Sequence, residues 1–222
     1  MAKLSPRPLD SPRAAAIAGV LFAVLFGTSM VLLRTTLPEE VQAEAVWLDE
    51  QAATRLSIGI AIVPFAGITF LWFMGVVRDR FKETEDQLFV SVILGSGLLF
   101  LAMIFVFAAL AGAMVATVPL VTDPAGRSEV VAFGHAMMLQ VSNIYALRMA
   151  GVLLISLSTM WLRTGVMPRW FAFITYVVAG VLLFTTSLGL WVTLLFPLWV
   201  LAVSIIILFT NRRREPALRG RP

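Results

Sequence analysis

From Leu88 to Val118 the chain runs for thirty-one residues without a single charged side chain. A helix rises ~1.5 Å per residue, so ~20 residues of this kind cross the ~30 Å hydrocarbon layer of a bilayer. Similar runs lie at Ala14–Leu33, Arg55–Val77, Val130–Leu162, Trp170–Leu188 and Leu190–Phe209. Strand-type alternation is absent, which argues against a β-barrel. The pattern predicts an all-α fold, a polytopic membrane helix bundle with six transmembrane helices.

Composition supports this, with 59% hydrophobic residues, 14% charged residues and a mean hydropathy of +0.92. A soluble domain is about half apolar and about a quarter charged. The net charge of +4 and pI near 10.3 would suit nucleic acid, but the basic residues flank the apolar runs, so no nucleic-acid partner is expected. An even number of spans puts both termini on one side. Thirteen of the seventeen Lys and Arg residues then share that side: the N-terminal segment, "RDRFK", Arg163, Arg169 and the C-terminal tail. The positive-inside rule makes the topology N-in/C-in, for a multi-pass protein of a bacterial inner (plasma) membrane.

The domain reading follows. Residues 1–13, polar and Pro-rich, form a disordered cytoplasmic tail; 14–210 form the transmembrane domain; 211–222 form a basic cytoplasmic tail. The first run is too long for a signal-peptide core and lacks a small-x-small cleavage site, so it reads as a retained span. With no cysteine there is no disulfide, palmitoyl anchor or thiolate metal site.

Pro38, Glu39 and Glu40 suit the start of a helix, and Val41, Ala45, Leu48 and Ala52 recur at helical spacing. This predicts an outer acidic helix, 38–54, docked on protein and running into the second span. The third and fourth runs would make ~46 and ~50 Å of helix, more than a bilayer needs. Helices 2–4 are therefore expected to project on the outer side around "VTDPAGRSE", with Ser128 capping the next helix.

Ala15, Gly19, Ala23 and Gly27 place a small residue every four positions on the first span, and Ala108, Gly112 and Ala116 do so on the third. Such ridges let helix backbones approach closely, here within the subunit. Pro64 and Pro197 predict kinks.

Catalytic signals are weak. His135 is the only histidine and reads as a polar residue near the outer surface. One histidine cannot build a bis-histidine haem site, and Met137 and Met138 are poor copper ligands, so no metal, no cofactor and no catalytic residue is expected. Ser96 in "LGSG" lies near the opposite face from His135, which breaks a serine–histidine pair. No Asp or Glu lies inside a span, which weighs against an ion-coupled transporter. No dense aromatic cage is evident.

Arg148 is the exception, a permanent charge in an apolar run. Tyr145, Ser156 and Thr159 fall within about 80° of it on a helix, forming a polar stripe. Counted from Ser142, Arg148 lies ~9 Å deep. Its guanidinium is expected to turn into the bundle or snorkel to headgroups, as a site for an anionic group or a partner.

At "LRTGVMPRWFAFITYVVAGVLL" and "LLFPLWVLAVSIII" the chain resembles a group of uncharacterised bacterial six-helix integral membrane proteins of unknown function, which share the Pro168–Arg169–Trp170 entry to a late span. The resemblance implies a six-helix bundle and supplies no activity. The functional expectation is a non-enzymatic integral membrane subunit or scaffold of a larger cell-envelope complex. Its partners would be the lipid bilayer and membrane proteins or further copies of the chain. The alternative is a small transporter or lipid-binding protein with a polar cavity around Arg148.

Topology is directly testable. A cytoplasm-active reporter fused after Phe81, Thr164 or Asn211 should be active, and one near Asp49 or Gly126 silent. An active fusion at either of the last two sites would remove the six-span arrangement.

Overall fold

In lipid every backbone N–H and C=O must be satisfied within the segment, so apolar runs of this length become helices. The computed structural model describes residues 12–37, 50–80, 87–184 and 190–219. The elements are α1 (Pro12–Thr36), α2 (Glu50–Arg80), α3 (Gln87–Thr117), a 3-10 turn (Val118–Leu120), α4 (Pro124–Leu139), a π-helical segment (Gln140–Ala146), α5 (Leu147–Thr164), α6 (Arg169–Phe184), a second 3-10 turn (Leu190–Leu194) and α7 (Leu195–Arg219). The π segment joins α4 to α5 in one rod of 41 residues. The described residues thus form six rods and no strand: the protein is an all-α helical bundle.

Five rods are long and apolar enough to cross a membrane, which makes this a multi-pass membrane protein. The sixth, α6, has 16 residues, ~24 Å of helix, and is shorter than the expected Trp170–Leu188. Residues 185–188 of that expected span lie outside the described residues, as do 38–49 of the expected acidic helix and 1–11 of the N-terminal tail. Glu50–Thr54 form the start of α2, and α7 continues through 211–219 of the expected tail.

The apolar surface is turned outward as much as inward. Phe65, Trp72, Val177 and Leu198 are each at least 60% exposed. Such surfaces suit lipid on all sides. The interior is built around α3, which packs on α2, α4, the π segment and α5, while α1 packs on α2 and α7 and α5 on α6. Where α1, α2, α3 and α7 meet, an aromatic cluster fills the core: the Phe196 ring lies 4.5 Å from Phe100 and 6.0 Å from both Phe22 and Phe70. On the other side the buried Trp199 indole donates to Thr175 Oγ1 at 2.9 Å, tying α7 to α6.

The small-residue ridges are only partly used. Ala15 and Ala23 are buried, and a Cβ at Gly19 would overlap the Ser204 side chain of α7, so α1 and α7 approach closely there. Gly27 has open space where a Cβ would stand. On α3, Ala108 is buried, whereas Gly112 has open space and Ala116 is exposed. Contacts around Gly19 are internal, and the outer ends of both ridges are unpacked.

Helix ends follow local chemistry. Asp123, not the expected Ser128, caps α4, its Oδ2 accepting from Gly126 N at 2.8 Å with Pro124 in the first turn. Gly165 ends α5 at φ 66°, a left-handed conformation that glycine adopts without cost, and its N–H donates to Trp161 O. Pro197 falls in the first turn of α7, where no amide donor is needed, so it marks a helix start rather than the expected mid-helix kink.

Gly19→Val should therefore force α1 from α7 and cost about 1–3 kcal/mol, read as a lowered melting temperature in detergent. Gly27→Ala should stay within about 0.5 kcal/mol. Equal effects would contradict the division of the ridge.

Candidate functional site

The first apolar run ends at Leu33, and the next residue is the one around which the polar interior is built. Because α1 continues to Thr36, Arg34 stays on the helix between the buried Met30, Leu33 and Leu37, and it is itself only 3% exposed. Its Nη2 donates to Ser142 Oγ at 3.0 Å and to Asn143 Oδ1 at 2.8 Å. The Ser142 hydroxyl in turn donates to Asn143 Oδ1 at 3.1 Å, closing a triangle of three polar groups. The Arg34 Cζ stands 5.7 Å from the centroid of the Phe107 ring, a cation–π contact from α3.

Both acceptors belong to the π segment. A π turn bonds i to i+5 and accommodates one residue more than an α turn, and such turns often mark functional sites. Here it brings Ser142, fully buried, and Asn143, half-buried, to one guanidinium nitrogen. Both partners are neutral. Arg34 Nε and Nη1 are buried without a hydrogen-bond partner among the described residues. The arrangement is a cationic donor set that is only partly occupied.

Its depth is set by the helices. Arg78, Arg163 and Arg169 mark one end of the bundle, with the Arg163 Cζ 4.8 Å from the Phe89 ring centroid. Gly59, whose carbonyl accepts from Ser29 Oγ, and Asn143 lie on α2 and the rod near the level of Arg34. Counting from Gly59 to Arg78, or from Asn143 to Arg163, gives ~30 Å of helix, one hydrocarbon thickness. Arg34 therefore sits at the boundary opposite the basic end, inside protein.

His135, two turns before Ser142 on the rod, is 1% exposed, and the charge of Arg34 reaches it. It lies at the outer end of the bundle and is buried in the core there, because α4 packs this face on α3: Gly134 lies against Met114. That contact places His135 ~25 Å along α3 from Ser96, whose hydroxyl donates to Val92 O at 2.6 Å. The two do not form a catalytic pair.

The expected stripe around Arg148 is divided. Arg148 and Tyr145 are exposed on the outside of the rod, Tyr145 by 57%. Ser156 is buried and donates to Val152 O at 2.9 Å. Thr159 faces α6, with its hydroxyl 2.7 Å from Tyr176 OH. The four do not line a common cavity. The Arg34 group was missed because its parts lie 108 residues apart; the adjacent Ser142 and Asn143 inside an apolar run were the signal that could have exposed it.

Asn143 is the more telling partner to remove. Asn143→Leu should cost about 1.5–3 kcal/mol by taking a hydrogen bond from a buried charge, and close to nothing in an Arg34→Leu background. Additive losses in the double variant, read from detergent melting curves, would show that the two residues do not act together. No family model matches the chain, and neither a curated protein nor a solved structure shows significant similarity to it.

Proposed function

We propose that this multi-pass membrane protein is a non-enzymatic subunit of a larger membrane complex, docked on its partner through the outer face of the α4–α5 rod. The observation that carries the reading is the exposed Arg148. It is ~22 Å along the rod from Arg163, short of the ~30 Å a hydrocarbon layer spans, so it lies within the apolar zone on an outward face. Five residues from Asn143, it lies ~8 Å inside the outer boundary, where an arginine on a lipid-facing surface must either snorkel to headgroups or pair with a polar partner.

Arg148 is not alone on that face. Phe133, Met137, Gln140, Tyr145 and Ile155 are exposed in steps of four, three and five residues, then ten. The five-residue step is the π turn, and it keeps the stripe continuous. Exposed aromatics around a charge suit the core of an interface. A two-fold dimer through this stripe would set Arg148 against its own copy, and no apolar run carries a carboxylate to offset that. The partner is therefore a different membrane protein offering an acceptor at this depth. By the resemblance and the positive-inside count, the setting is a bacterial plasma membrane with the α3–α4 hairpin outside. The carrier alternative needs a cavity at Arg148, and that side chain lies on the surface.

Wild-type protein purified in mild detergent should run as a complex larger than one chain. Arg148→Leu should fold with an unchanged melting temperature and lose that complex, and Phe133→Ser should weaken it. A complex retained at the wild-type level in Arg148→Leu would leave the stripe without a function.

A further inference from the structure

Arg34 grips the rod where its winding changes. Within Gln140–Ala146 the helix is π, and the Leu147 N–H donates to Ser142 O, five residues back. The segment therefore takes up one residue more than an α-helix of the same length. Both side chains held by Arg34 Nη2, Ser142 at 3.0 Å and Asn143 at 2.8 Å, lie inside it. Arg34 Nε and Nη1 are buried without a hydrogen-bond partner among the described residues. Donors left unpaired in the interior offset part of what the two hydrogen bonds contribute, so the contact is one that can be released.

α4 has a second face ready. α5 is fixed by packing on both α3 and α6, whereas α4 packs chiefly on α3. Were the π segment to become α, the additional residue would lengthen the rod by ~1.5 Å. Each place on α4 would then pass to the next residue in sequence, a turn of about 100°. Val131, His135 and Met138, now buried, would give way to Ala132, Ala136 and Leu139, and His135 would take the place of Gly134 against Met114. The second set suits the α3 surface as the first does, and His135 faces inward in both. The connection at 121–123 is not helical and can absorb the movement. We propose that the rod is a two-register switch: the Arg34–Ser142–Asn143 contact latches the π register, and its release moves α4 by one residue along α3. In the second register Phe133 and Met137 leave the exposed stripe, and Gly134 and Met138 replace them. The switch rests on the bundle alone; its use, to present or withdraw a partner surface beside Arg148, rests on the subunit reading.

The chain has no cysteine, so introduced pairs report the register without background. A Cβ at Gly134 would stand 3.8 Å from the Met114 Cβ, within reach of a disulfide. Met114→Cys with Gly134→Cys thus reports the π register, and Met114→Cys with His135→Cys the α register. Each pair is placed in the full chain in mild detergent, oxidised briefly and read by a maleimide–polyethylene glycol gel shift. With the latch intact, linking through position 134 should be about tenfold faster or more, and Arg34→Leu should reverse the order. Asn143→Leu keeps the charge and removes one hydrogen bond. It should raise linking through 135 relative to 134 about tenfold, and it decides if Arg34→Leu does not fold. Deleting Asn143 from the Arg34→Leu chain should restore linking through 134, because an all-α rod one residue shorter returns Gly134 to Met114. A folded latch variant that links as wild type does overturns the proposal. So does equal linking through 134 and 135, which is a loosened α4, or a deletion that fails to restore 134. No partner takes part in the cross-linking, so its result is independent of the Arg148 test.

Discussion

One guanidinium holds the two halves of this bundle in register. α1, α2 and α7 pack as one group and the α4–α5 rod with α6 as another, with α3 between them. Apolar contacts alone fix such an arrangement loosely, because lipid is as good a neighbour for leucine as another helix is. Polar links are directional. Arg34 reaches from α1 across Phe107 to the rod, and Trp199 reaches from α7 to Thr175 on α6. The first lies near the end opposite the basic ring and the second nearer to it, so rotation of one half against the other would break at least one. A charged link at that depth is costly to bury, and specificity of packing is a gain that can offset it.

The fold class was legible because the bilayer dictates it. Apolar runs of ~20 residues or more leave the backbone no alternative to helix, and five of the six expected runs appear as helices long enough to span. Gly19 was readable as a close approach because only a residue without Cβ fits against Ser204. The open space at Gly27 and Gly112 was not, since a small-residue spacing does not say where a neighbouring helix begins. α7 starts at Leu195, and its wall against Gly27 is incomplete.

The polar sites were less legible, for two physical reasons. Arg34 stands at the end of an apolar run, where an arginine ordinarily reaches out to headgroups; its burial depends on Ser142 and Asn143, which only tertiary contact brings near. Arg148 was grouped with Ser156 and Thr159 by counting 100° per residue. All three lie on α5, so the count holds, but the 80° between Arg148 and Ser156 separates surface from core, and Thr159 lies ~16 Å farther along, where its hydroxyl meets Tyr176 of α6. The core aromatic cluster shows the same limit, with Phe22, Phe70, Phe100 and Phe196 contributed by four separate helices.

The π segment has a consequence for how this rod can be read and changed. Its additional residue leaves α4 and α5 aligned in space while setting their sequences about a quarter turn out of phase. A helical wheel drawn straight through would place the buried His135 and the exposed Arg148 on wrong relative faces. The two stretches thus keep separate angular indexing: α4 can follow a pattern suited to a partly aqueous setting, and α5 one suited to lipid. Neither pattern constrains the other, and the rod carries two amphipathic codes with the junction falling where Arg34 makes its hydrogen bonds.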